Sequence, residues 1–199
     1  MRPGSSDSTL WRQYVERYHY LRYRAPVGAQ LRYLVRTGSP SASGDKVLAC
    51  LGWTSPAWKM AARDNWIGWS AGQRERNLQY LVNNSRFLIL PWVRVKGLAS
   101  KILGHCARQL PPDWETLYGY RPLLLETLVD AARFRGTCYR AANWVHVGRT
   151  TGRGRMDSAH QSAGSAKDIY LYPLCLKLQT RLCDGPAPPF RSSDPEQAR

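Results

Sequence analysis

Residues 86–130 read as an apolar strand, a one-sided helix and a second apolar strand, and that order leaves little choice of architecture. RFLILPWVRV is strand-like, with Pro91 interrupting it, so a bend or bulge belongs there. GLASKILGHCARQL follows, with Leu98, Ile102, Cys106 and Leu110 on one helical stripe, and Pro111-Pro112 read as its stop. RPLLLETLVD is again a strand, whose apolar run holds one acid, Glu126. A helix between two such strands covers a sheet that they share.

The flanking segments extend the same sheet. Ser8-Thr9 offer a cap to the helix LWRQYVERYHYL, which breaks at Pro26-Val27-Gly28. AQLRYLVRTG and KVLACLGWT alternate as strands and read as a hairpin across SPSASGD. A helical turn at WKMAARD, the aromatic segment NWIGWS and a helix AGQRERNLQYLVN capped by Ser70 follow. After the second apolar strand come a short helix or turn, ARFRGTCYRAAN, and the strands WVHVG and KDIYLYPL. The expectation is an α/β fold with a single mixed, mostly antiparallel sheet flanked by helices. It fills one domain over residues 1–178, with a Pro- and Ser-rich, disordered tail over 179–199.

Charge narrows the partners. The chain of 199 residues has a formal net charge of +15, with 29 Lys and Arg against 14 Asp and Glu. Arginine predominates, and its planar fork suits bidentate phosphate contacts. Such a balance favours an anionic partner, nucleic acid ahead of a membrane surface and DNA ahead of RNA. Cys50, Cys106, Cys138, Cys175 and Cys183 are odd in number and form no C-x-x-C pair, which points to neither a disulfide framework nor a metal site. A reducing, cytoplasmic setting follows. No apolar run reaches the ~20 residues of a spanning helix, and the N-terminus has no apolar signal core.

Several residue groups carry possible chemistry. Arg149, Thr151, Gly152, Arg153 and Arg155 lie in the glycine-rich loop of VHVGRTTGRGR. Its glycines permit close approach to a phosphate, and its arginines and threonines supply donors; the bland alternative is a solvated loop. In RDNWIGWS, Arg63 has Asp64 as a neighbour, while Trp66 and Trp69 could bracket a planar group or cap the sheet. Asn83, Asn84 and Arg86, from NNSR, could read a base edge or close a turn. His19, between Tyr18 and Tyr20, is a candidate general base or a satisfied structural histidine. Glu126 is a candidate base, because a carboxylate in an apolar strand has a raised pKa, or the counter-ion of a buried arginine.

The element order resembles the GNAT (N-acetyltransferase) fold. RFLILPWVRVKGLASKILGHCARQL is similar to that fold's cofactor strand, loop and helix, and LLLETLVDAARFRGTCYRAANWVHVG to its next strand, helix and strand. The resemblance implies a general-acid role for Tyr139. The cofactor junction here keeps one glycine, Gly97, beside Lys96, which argues against a standard coenzyme A grip. R-x-x-G-x-G at Arg149–Gly154 follows a later strand, where that fold has no cofactor loop, so the match is fortuitous.

At a finer grain YHYLRYRAPVGAQLRYLV, LACLGWTSPAWKMAARDNWIGWS, NNSRFLILPWVRVKGLAS, LLLETLVD, GTCYRAANWVHVGRTTGRGRMD and KDIYLYPL resemble the DruA family of Druantia anti-phage proteins. The first motif of that family reads Y-H-Y-L-G; here Arg22 takes the last place. The resemblance implies a protein of phage-defence or mobile-element systems. The leading expectation is binding or modification of nucleic acid, with docking on the backbone through arginines. An acyl-CoA-dependent transferase and a non-catalytic scaffold subunit, with other defence proteins as partners, are the alternatives. No cofactor is assigned, and the sequence leaves catalysis open.

Overall fold

The computed structural model describes residues 5–38, 46–150 and 165–189. Helix α1 (Ser6–Tyr18) starts at Ser5, whose side chain accepts from the Ser8 N–H, with Asp7 in its first turn and Arg17 in its last. Both charges suit the helix dipole. Strands β1 (Gln30–Arg36) and β2 (Val47–Thr54) pair antiparallel. Helices α2 (Ala61–Ile67) and α3 (Ala71–Asn77) lead through a 3-10 turn at Leu78–Tyr80 into β3 (Leu81–Ile89). A Ser70 capping box starts α3. Then come α4 (Leu98–Tyr118), β4 (Leu124–Asp130), α5 (Thr137–Ala141), β5 (Val145–Arg149), β6 (Lys167–Pro173) and α6 (Leu178–Asp184).

The strands form one sheet in the order β1-β2-β3-β4-β6-β5, antiparallel except between β3 and β4. The expected mixed, mostly antiparallel sheet flanked by helices is therefore present. Helix α4 covers one face, where Ile102, Leu103, Leu110 and Trp114 join Leu51, Trp53, Val82 and Leu125 in the main core. On the other face α2 and α6 pack over Leu81, Leu124, Ile169 and Leu171, and α1 packs over Cys50, Leu88 and Leu90. Among the described residues no helix is long and apolar enough to cross a membrane.

Several boundaries differ from the sequence expectation. Helix α1 starts at Ser6 under a Ser5 cap, so the expected cap pair Ser8-Thr9 lies inside it. Strand β3 ends at Ile89, before Pro91, and its bulge is at Ser85. Helix α3 ends at Asn77, because that buried side chain donates to the carbonyls of Leu182 and Gly185 and pins the chain to α6; β3 therefore starts at Leu81. Helix α4 runs through Pro111-Pro112 to Tyr118. The prolines forgo two backbone bonds, but Trp114 and Tyr118 beyond them are buried in the core, and the Tyr118 hydroxyl bonds the Gln30 backbone at 2.7 and 2.8 Å. Tertiary packing outweighs the local stop signal. Finally, residues 179–184 of the expected tail belong to a packed helix, α6, with Leu178 and Leu182 buried; residues 190–199 lie outside the described residues.

Candidate functional site: two clefts joined at a bulge

The sheet opens at its centre. Strands β3 and β4 pair only at Leu81↔Leu124, Val82↔Leu125 and Asn83↔Glu126. The β2–β3 register shifts between Gly52↔Arg86 and Trp53↔Asn84, so Ser85 is an extra residue, a bulge that bends β3. Beyond it the two parallel strands separate into a wedge. Thr127 Oγ1 donates to the Asn84 carbonyl at 3.1 Å, and the Tyr139 hydroxyl donates to Asn84 Oδ1 at 2.8 Å. Asn84 Nδ2 donates to the Gly52 carbonyl at 3.2 Å. Side chains thus replace the missing ladder.

The wedge is the floor of an aromatic cleft of about 480 Å³. Tyr18, His19 and Tyr20 close it from the end of α1 and the segment after it, Phe134 and Tyr139 from β4 to α5, and Ala99 marks the start of α4. Tyr20 stacks on His19 and tilts against Phe134, with ring centroids 5.0 and 5.4 Å apart. Gly136, at φ +63°, turns the chain into α5; a Cβ there would meet the Tyr170 hydroxyl, so only glycine fits.

A second cleft, of about 340 Å³, lies beside Trp11, Arg24, Arg32, Asn83 and Arg86. Ser85 lines both clefts. Arg86 Nε and Nη1 donate to the carbonyls of Arg22 and Ser85 at 3.0 and 2.7 Å. Arg22 itself has φ +49°. The family motif that this segment resembles has glycine at this position, which is the residue that adopts such a backbone without cost. Several arginines lie over rings: Arg12 over Tyr23 at 4.9 Å, Arg17 over Tyr18 at 5.4 Å, Arg32 over Trp11 at 4.9 Å and Arg133 over Tyr20 at 5.3 Å.

The sequence candidates fall into distinct places. His19 is buried, and its Nδ1 accepts from the Leu21 N–H at 3.2 Å, which puts the proton of the neutral ring on Nε2. Burial, and then the Arg86 charge, lower its pKa from 6.5 to about 4. It is therefore neutral near pH 7, and a weak base. Burial pushes the Tyr139 phenol upward, and its proton is committed to Asn84, so acid donation requires breaking that bond. Asn84 is structural by the same network. Cys138 lines the aromatic cleft, but burial raises its thiol pKa, so it is not an activated thiolate.

Glu126 and Arg63 turn out to be partners. Both are fully buried, with Arg63 Nη1 3.0 Å from Glu126 Oε2. Arg63 also donates to Asp64 and to the Ala57 carbonyl. Burial pushes the Glu126 carboxyl up while the Arg63 guanidinium opposes the shift. With Arg63 on one carboxylate oxygen and the Ala57 N–H on the other, Glu126 lines neither cleft; the structure gives it the counter-ion part of the two expected. Arg63 and Trp69 are buried, Trp69 donating to Asp64 at 3.1 Å. Trp66 is half-buried against the α2 and α6 core. Arg149 is exposed and donates to Asp168 at 2.8 Å. Thr151, Gly152, Arg153 and Arg155 lie outside the described residues. Arg24, Thr127 and Phe134 were missed. Arg24 sits within the quoted motif YHYLRYRAPVG, but only the folded loop brings it to Arg86.

The family described as Druantia protein DruA matches residues 1–165. No curated protein is significantly similar to this chain. Among solved structures, one similar chain is an acetyltransferase of the GNAT family from Bacillus cereus ATCC 10987, at 10% identity and a TM-score of 0.38. The similarity covers 66% of this chain and 66%, just under two thirds, of that one. A likeness at that level supports no conclusion about activity.

Proposed function

The chain belongs to the Druantia DruA family, and from that membership we propose that it serves anti-phage defence by engaging nucleic acid along the face that carries its two clefts. The observation that carries this reading is one arginine-lined cleft and one aromatic-lined cleft that share Ser85, with arginines over Tyr18, Tyr20 and Tyr23 beside them. Guanidinium groups neutralise phosphates, and aromatic rings accept bases of any sequence by stacking. The formal charge of +15 supplies long-range attraction for a polyanion.

The test is a salt titration of purified protein against labelled single- and double-stranded DNA and RNA. Affinity is expected to fall linearly on a double-logarithmic plot, each neutralised phosphate of a single strand contributing about −0.7 to the slope. Arg12→Ala, Arg17→Ala and Arg133→Ala combined flatten that slope by about two on this account. A slope near zero, or one untouched by the triple substitution, counts against it.

One observation favours a second reading, an acyl-CoA-dependent transferase. The parallel strands stop pairing after Asn83↔Glu126, and an extended amide-containing chain can dock between separated strands as an added strand does. A rise in Tm on adding acetyl-coenzyme A, lost when the wedge is filled by Ala99→Trp, supports this second reading; no response removes it.

A further inference from the structure

The basic cleft brings together two arginines, Arg24 and Arg86. Arg86 is half-buried on β3, and Arg24 is exposed on the same cleft. Among the described residues neither forms an ion pair with a carboxylate. Burial, and then the like charge of Arg24, hold the Arg86 guanidinium below its ordinary range, against an opposing effect of Tyr20. Two cations that converge without a counter-ion repel each other, and an anion placed between them turns that repulsion into attraction.

A second observation also points to a ligand. Across the Ser85 bulge lies the aromatic cleft, with Tyr18, Tyr20 and Phe134 on its walls and a volume suited to a planar small molecule. One cleft takes an anion and the other takes a ring, and they share a wall.

We infer that the two clefts together hold one nucleotide unit of a single strand, with its phosphate at Arg24 and Arg86 and its base among the rings of the aromatic cleft. This rests on the nucleic-acid reading and specifies its substrate: an unstacked nucleotide, which a base-paired duplex does not present without extrusion. Double-stranded ligands then bind by backbone contact alone, and single strands gain the cleft in addition.

The experiment compares deoxynucleoside 5′-monophosphates with the matching nucleosides and with inorganic phosphate, by titration calorimetry on the full chain. Nucleotides are expected to bind about tenfold or more tighter than either part alone. Arg24→Ala, at an exposed position, removes about tenfold from the nucleotide and nothing from the nucleoside. Phe134→Ala, also exposed, weakens nucleotide and nucleoside alike. Equal affinity for nucleotide and nucleoside, or an Arg24→Ala variant that binds nucleotides like the parent, overturns the inference. If salt-steep strand binding persists in that case, only the nucleotide site falls; if strand binding is absent, the nucleic-acid reading falls with it.

Discussion

His19 connects the site to solution conditions. Its pKa is lowered from 6.5 to about 4, by burial first and by Arg86 second. Between those two values the unfolded chain binds a proton at this position and the folded chain does not. Stability therefore falls as pH drops from about 6.5 towards 4, by roughly 2–3 kcal/mol for this group, and its contribution is flat above and below. His19→Asn keeps an acceptor for the Leu21 N–H and removes the titration. Denaturant unfolding across pH 4–7 is expected to show a shallower pH dependence in this variant than in the parent; parallel curves would mean that His19 is not held neutral by the fold.

The buried ion pair ties elements together. Arg63 comes from α2, and Glu126 from β4 at the last residue before the strands diverge. The pair, with Asp64 beside it, fixes the helix against the rim where the wedge opens. Glu126→Gln leaves a buried guanidinium with one charge partner instead of two, at a cost of about 3 kcal/mol, or a fall in Tm of roughly 6–12 °C for a chain of this size. A Tm within a degree of the parent would show that Asp64 alone suffices. The sequence made Glu126 conspicuous as a lone acid in an apolar run, and Arg63 conspicuous beside Asp64. It could not join them, because they lie on separate elements. Element types were legible wherever apolar periodicity was strong, as in β2, β4 and α4. The boundaries that failed, at Asn77, at Pro111-Pro112 and after residue 178, were set by distant partners, namely α6 and the Trp114 core. NNSR stood out as two amides before a strand, but only pairing with β2 reveals the Ser85 bulge.

At the scale of the whole molecule, the sheet carries α4 on one face and smaller helices on the other, and the wedge between β3 and β4 brings both clefts to one bulge. The net charge could be read directly from the sequence, but its arrangement could not. Arg12, Arg17, Arg32 and Arg133 come from two elements and a turn, and only the fold brings each over its ring. The central claim is that the two clefts and the arginines beside them meet nucleic acid. Photo-crosslinking of a single-stranded oligonucleotide carrying a photoactivatable base, followed by peptide mapping, tests it most directly. Crosslinks concentrated in residues 18–24 and 134–139 are predicted; crosslinks confined to other surfaces, such as the exposed side of α4, would contradict the account.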